Sequence, residues 1–226
     1  MNLRAFFNHA LYRKLAAEAL GSALLLATVV GSGIMGERLA GGNMAIALLA
    51  NSLATGGALF VLIVMLAPIS GAHFNPLVTM IEALSWRMPR REAPFYLAAQ
   101  FAGAIAGVFI AHLMFELPLV YPSQHVRTGA SQWFSEFVAT FGLLSVILFG
   151  SRVRVNTVAA MVACYIAAAY WFTASTSFAN PAVTLARSLT DTFSGICMSD
   201  APMFMIAQVL GALLAYALYR WMSRES

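Results

Sequence analysis

The chain has 226 residues, of which 61% are hydrophobic and only 10% charged, against about 25% charged in an ordinary soluble domain. A composition this apolar excludes a water-soluble globular protein and describes a membrane protein. The formal net charge of +4 reflects how basic residues are shared among loops, so nucleic acid is not expected as a partner.

A helix needs about 20 mostly apolar residues to cross the hydrocarbon core. Six stretches qualify in chain order: 15–35, 46–68, 94–115, 133–150, 156–175 and 203–222. The first is longer than a signal-peptide core, is followed by no small-residue cleavage site and carries Glu18, so it reads as a retained span. With the N-terminus inside, ten of the thirteen basic residues are cytoplasmic: Arg4, Arg13, Lys14, Arg87, Arg90, Arg91, Arg152, Arg154, Arg220 and Arg224. Only Arg38, Arg127 and Arg187 fall outside, which predicts an even number of spans with both termini cytoplasmic. Short termini and loops favour a bacterial inner membrane. Cys164, in the fifth stretch, reads as a small buried apolar side chain, and Cys197, in the loop before the sixth, as a free surface thiol. No spacing suits a metal, and no cofactor is expected.

The same short words recur in the same order in both halves. The first half has A-E-A-L-G from Ala17, G-A-H-F-N-P-L-V-T from Gly71 and A-Q-F-A-G-A from Ala99. The second has S-E-F-V-A from Ser135, T-S-F-A-N-P-A-V-T from Thr176 and A-Q-V-L-G-A from Ala207. The expectation is one domain, 1–226, of two repeats at about 10–118 and 130–224. Each repeat holds an odd number of spans, so the second enters the membrane inverted, and the two Asn-Pro segments approach from opposite faces.

Neither Asn-Pro segment is long enough to span: Glu82 and Arg87 soon follow the first, Arg187 and Asp191 the second. Asn is a preferred N-cap and Pro suits the first helical position, so Asn75-Pro76 and Asn180-Pro181 each predict the start of a re-entrant half-helix. Irregular backbone at membrane depth is tolerated only when buried in protein or lining a water-filled cavity. The carbonyls of Gly71, Ala72 and His73, and of Ser175, Thr176 and Ser177, are therefore expected to line a lumen. Gly71 suits a close turn because it has no Cβ. Two facing half-helix N-termini, each carrying about half a positive charge, oppose cations and protons there, while the Asn amides still donate to neutral solutes.

With both Asn-Pro motifs mirrored and A-E, G-A-H-F-N-P and A-Q-x-x-G-A in register, nearly the whole chain resembles the aquaporins, the major intrinsic protein family. The resemblance implies an all-α membrane fold of six transmembrane helices plus two re-entrant half-helices, a pore in each subunit, and a homotetramer in the lipid bilayer. It also carries over the pore motifs Asn75-Pro76-Leu77, with Leu in place of the usual Ala, and Asn180-Pro181-Ala182. Counting from the asparagines places a selectivity filter at Thr55, Ala168, Ser177 and Val183. The family usually has an aromatic at the first of these, water-selective members have His at the second, and most members have Arg at the last. A small, uncharged set predicts a wide aperture that passes neutral polyhydroxy solutes better than it selects for water. The missing filter Arg together with N-P-A-V-T-L-A-R resembles bacterial aquaglyceroporins associated with arsenic resistance. That resemblance implies conduction of trivalent arsenite, neutral at physiological pH as the trihydroxide, with antimonite, glycerol and some water.

Arg187 follows Val183 by four residues, one turn along the same helix face. It reads either as a guard of the outer pore mouth, with Asp191 as an i,i+4 partner, or as a side chain snorkelling to the interface. Leu77 is either a tolerated packing substitution or a change in spacing at the midplane. Glu18 and Glu136 sit at matched places inside spans, and intramembrane carboxylates default to a functional role. The family resemblance implies that they anchor the re-entrant loops, in keeping with the cost of unpaired buried polar groups; proton relay is the alternative. His73 reads as a neutral pore-lining side chain, with gating by protonation as its alternative, and His9, His112 and His125 are assigned nothing. Gly103, Ala104, Gly107, Gly211, Ala212 and Ala215 have the spacing that lets helices approach closely in lipid. No Ser-His-Asp set, carboxylate pair or phosphate loop points to an enzyme. The competing readings are a predominantly water-conducting channel of the same fold, an ion or proton-coupled transporter, which facing positive helix ends disfavour, and an adhesion protein, which short outer loops disfavour.

Overall fold

A computed structural model describes residues 9–223; Arg4 and Arg224 of the charge pattern lie outside them. Eight α-helices follow one another among the described residues: α1 (His9–Leu39), α2 (Met44–Ser70), α3 (Pro76–Leu84), α4 (Ala93–Met114), α5 (Ala130–Gly150), α6 (Val155–Phe172), α7 (Pro181–Arg187) and α8 (Ala201–Met222). A 3₁₀ turn at Arg90–Glu92 leads into α4. Six of the helices are long and apolar enough to cross a membrane. Helices α3 and α7, of nine and seven residues, are not, which matches the half-helix expectation. The first span is longer than its apolar stretch, running 31 residues from His9 to Leu39. The fifth ends at Phe172, before the expected residue 175.

In each half the first and third spans pack together, α1 on α4 and α5 on α8, and α2 on α6 joins the halves. Small residues make this possible. A Cβ added to Gly103 would lie 2.2 Å from Ala19 O, one on Gly107 2.2 Å from Ala23 O, and one on Gly211 2.4 Å from Phe137 O. The helix backbones are therefore in direct contact, with Ala104, Ala212 and Ala215 fully buried alongside.

At one end of the bundle, Lys14 pairs with Glu92 and Arg87 with Glu82, each at 3.2 Å. At the other, the connectors 115–129 and 188–200 are clasped by Tyr121 N to Leu189 O at 3.0 Å, Ser123 N to Ser188 O at 3.0 Å and Cys197 N to His125 O at 2.7 Å. His112 completes this clasp: it is fully buried, with Nδ1 2.8 Å from Leu119 O and Nε2 2.8 Å from Thr190 Oγ1. Cys164 corrects the sequence reading. It is exposed on the outer side of α6, because the buried stripe of that helix passes through Ala163 and Ile166 instead. Cys197 is partly buried.

Gly103→Val is expected to destabilise the fold by roughly 1–3 kcal/mol through overpacking, seen as a lower Tm and loss of monodisperse protein in detergent. Gly57→Ala, where an added Cβ meets nothing within 4 Å, leaves both unchanged.

Candidate pore

The Asn-Pro residues first act as their types dictate at a helix start. Asn75 Oδ1 accepts from Leu77 N at 2.9 Å, and Asn180 Oδ1 accepts from Ala182 N at 2.9 Å and Val183 N at 3.3 Å. Pro76 and Pro181 occupy the first helical position, where no N–H is needed. The amide nitrogens then reach across: Asn75 Nδ2 donates to Ala179 O and Asn180 Nδ2 to Phe74 O, both at 2.8 Å. Helices α3 and α7 thus meet N-terminus to N-terminus. Each asparagine is held at both ends of its amide, with one N–H of the pair remaining.

The loops entering these helices are bent far from ordinary backbone. Ala72, Phe74, Thr176, Ser177 and Ala179 have positive φ of 53°, 49°, 62°, 52° and 48°, each a conformation that costs on the order of 1 kcal/mol for a residue with a Cβ. Gly71, at φ 93°, takes the left-handed position without that penalty. Buried carboxylates offset the strain. Glu18 Oε1 accepts from Ser70 Oγ at 2.6 Å and His73 N at 3.0 Å, and its Oε2 from Phe74 N at 2.8 Å and Gln100 Nε2 at 2.7 Å. Glu136 accepts from Phe178 N at 2.8 Å, Ala179 N at 2.9 Å and Gln208 Nε2 at 2.6 Å. Gln100 and Gln208 also donate to Thr79 and Thr184 Oγ1, both at 2.8 Å. This accounts for the Thr in each Asn-Pro-x-Val-Thr word and the Gln in each A-Q word, whose roles the sequence did not reveal.

Between the loops and the spans runs a cavity of about 530 Å³. Glu82 and Arg87 stand at one end and Arg187 at the other, with Asn75 and Asn180 between. One wall is aliphatic, with Leu25, Val29, Leu143 and Ile147; the other carries Gly71, Ala72, His73 and Ser177. His73 Nδ1 lies 2.9 Å from Thr79 Oγ1 and its ring tilts against Tyr96 at 5.4 Å. Ser175 and Thr176, expected in the lumen wall, are not part of it. The left-handed turn at Thr176 and Ser177 carries Ser175 away, and its carbonyl instead accepts from Arg127.

Thr55, Ser177 and Val183 all line the cavity at 3%, 3% and 6% exposure. The Ser177 hydroxyl is buried without a protein partner, so it is available to a solute. Ala168 is a correction: it is exposed on the outer side of α6, and Tyr170 lines the cavity instead. Its hydroxyl lies 3.3 Å from Thr55 Oγ1. Counting back from Asn180 assumed a longer loop, whereas the buried positions Val162, Ala163, Ile166, Ala169 and Tyr170 follow helical spacing that leaves Ala168 outside.

Arg187 lines the cavity and is 2% exposed, which excludes snorkelling. Asp191 is not its partner, because α7 ends at Arg187 and Asp191 accepts from Gln124 N at 2.8 Å. Arg187 Nε donates to Ser194 O, and the guanidinium lies 3.4 Å from the Phe178 ring centroid, a cation–π arrangement. Arg127, missed in sequence because it sits in an unpatterned loop, lies 5.3 Å from the same ring. It donates to Gly195 O at 2.7 Å, Ser175 O at 3.4 Å and Phe193 O at 3.5 Å. Burial lowers its pKa from the usual value, against the opposing pull of Glu136 and Tyr170. Leu77 lies outside the lumen wall, on the other side of α3, so it does not narrow the passage.

The sequence profile of the major intrinsic protein family matches residues 6–156 and 148–226. The chain belongs to that family. This major intrinsic protein is 58% identical over 212 residues to Aquaglyceroporin AqpS of Rhizobium meliloti (strain 1021), covering 94% of this chain and 91% of that one. It is 29% identical over 218 residues to Aquaporin NIP6-1 of Arabidopsis thaliana, covering 94% of this chain and 69% of that one. The X-ray structure of the aquaglyceroporin from Plasmodium falciparum matches with a TM-score of 0.73 at 21% identity, covering 92% of this chain and 95% of that one, so the fold is that of an aquaporin. As a major intrinsic protein the chain is a multi-pass membrane protein and a passive channel for small solutes rather than an enzyme.

Glu136→Gln replaces an acceptor oxygen with a donor facing backbone N–H groups. The expected cost is about 2 kcal/mol or more, read as lower folding yield and reduced flux of every solute with the ratio between solutes unchanged. A changed ratio would instead place Glu136 in selectivity.

Proposed function

We propose that this channel conducts small neutral polyhydroxy solutes, trivalent arsenite, antimonite and glycerol, with some water, through a filter made by Thr55, Ser177 and Val183, with Tyr170 in the place expected for Ala168. Val183 carries the proposal: it stands in the lumen wall, 6% exposed, where most members of the family place Arg. Without a guanidinium the aperture offers the Ser177 hydroxyl, backbone carbonyls and Asn amides on one side and aliphatic side chains on the other. Such a wall suits a compact solute with several hydroxyls. Arsenite as its trihydroxide is similar to glycerol in shape and, being neutral, is unaffected by the facing positive ends of α3 and α7, which oppose cations. The name of the Rhizobium relative, an aquaglyceroporin, supports the glycerol assignment.

Arg187, one turn outward of Val183, guards the outer mouth with its charge held over Phe178. Matched contacts at Glu18 and Glu136, Gln100 and Gln208, and Asn75 and Asn180 support a single domain of two inverted repeats, about 10–118 and 130–224. The charge pattern supports cytoplasmic termini, the short loops support a bacterial inner membrane, and the family resemblance supports a homotetramer. One observation favours a second reading, a mainly water-conducting channel: Tyr170 and Thr55 lie within hydrogen-bonding distance at the filter, 3.3 Å apart, which narrows the opening.

Uptake of water, glycerol and arsenite by proteoliposomes distinguishes the two. The wild type is expected to pass all three, and Val183→Arg to lower glycerol and arsenite flux about tenfold or more, an added barrier of about 1.4 kcal/mol, while keeping water. A wild type that passes only water sinks the solute assignment.

A further inference from the structure

Behind α3 the molecule has a second cavity, a groove of about 560 Å³ that shares no lining residue with the pore. Val78 of α3 faces the lumen, whereas Leu77, Met80 and Leu84 face this groove; Leu97 of α4 and Met205 of α8 form its sides. Its deep end is at Pro76 and Pro181, where the half-helices meet, and its other end is at Arg90. Every lining residue except Arg90 is apolar. At about 1.5 Å rise per residue, Pro76 and Leu84 lie about 12 Å apart. That is close to the depth of one leaflet of a hydrocarbon core about 30 Å thick. The sides formed by α4 and α8 belong to helices long and apolar enough to span a membrane, so the medium beside them is lipid.

Arg90 is held facing outward. Its Nε donates to Ala83 O at 3.3 Å and its guanidinium lies 3.7 Å from the Trp86 ring centroid. Trp86 is 74% exposed, as befits an aromatic at the membrane interface. Among the described residues the terminal nitrogens of Arg90 donate to no protein group, and a fixed guanidinium with free N–H groups matches the geometry of a phosphate. We infer that the groove holds one acyl chain of an anionic phospholipid, the chain lying against Leu77, Met80, Leu97 and Met205 and the phosphate on Arg90. Leu77 then has a use: where the motif usually has Ala, it extends the apolar wall under the chain and braces α3 from the side away from the pore.

The test is native mass spectrometry of the full chain purified in detergent and titrated with dioleoyl phosphatidylglycerol, dioleoyl phosphatidylcholine or inorganic phosphate. The wild type is expected to retain one phosphatidylglycerol per subunit at about tenfold lower concentration than phosphatidylcholine. Arg90→Gln, which removes the charge at an exposed position ahead of α4, removes that preference; Met205→Trp, which fills the groove, lowers retention of both lipids. Equal retention of the two lipids by the wild type, retention unchanged by Met205→Trp, or displacement of the lipid by inorganic phosphate overturns the proposal. Solute uptake by the same variants, altered outside the lumen, reports on the channel separately, so failure here is distinct from failure of the solute reading.

Discussion

Glu18 and Glu136 each draw two backbone N–H groups of a re-entrant loop onto one buried carboxylate, and the geometry of the pore depends on that constraint. At membrane depth no water competes for these donors, so an unmade bond would leave the full desolvation penalty of the group. The carboxylates hold the loops in left-handed turns that residues with a Cβ otherwise avoid. Those turns bring Phe74 O and Ala179 O to the opposing asparagines, and the asparagines set the two half-helices end to end. Each link presupposes the one before it.

The two halves solve the same problem with different surroundings. In the first, Glu18 accepts from four donors, and Tyr96 OH adds a bond to Ser70 O at 3.0 Å. In the second, Glu136 accepts from three, and Arg127 takes over part of the task by capping Ser175, Phe193 and Gly195 carbonyls. One loop is thus held mainly by an anion that collects N–H groups, the other by an anion and a cation that collects carbonyls. The second arrangement places positive charge at the Arg187 end of the cavity, where Arg187 already lies over Phe178. With the facing helix ends, these charges raise the positive potential along the cavity, which opposes cations.

The architecture was legible in the sequence because both its signals are local. Apolar stretches of span length, and Asn-Pro followed by an early charge, locate the helices and half-helices without reference to anything distant. The matched A-E and S-E words and the repeated A-Q word marked Glu18, Glu136, Gln100 and Gln208 as a matched set, although only the carboxylates drew a role. The cavity lining was legible only in part. Thr55, Ser177 and Val183 sit on elements whose register is tied to a motif asparagine or to a long span, and they line the cavity. Ala168 does not, because its register depends on where α6 stops and how tightly the following loop turns.

What the sequence by itself determined is the membrane class, the six spans, the two half-helices and the residues that cap them, since hydropathy and capping act within a few residues of chain. Only the tertiary structure decided that Tyr170 rather than Ala168 faces the lumen, that Arg187 leaves Asp191 for Phe178 and Ser194, and that Leu77 faces away from the pore. These outcomes depend on which side of a helix meets a neighbour and on the left-handed turns that carbonyls and carboxylates impose from across the fold, contacts between residues far apart in the chain.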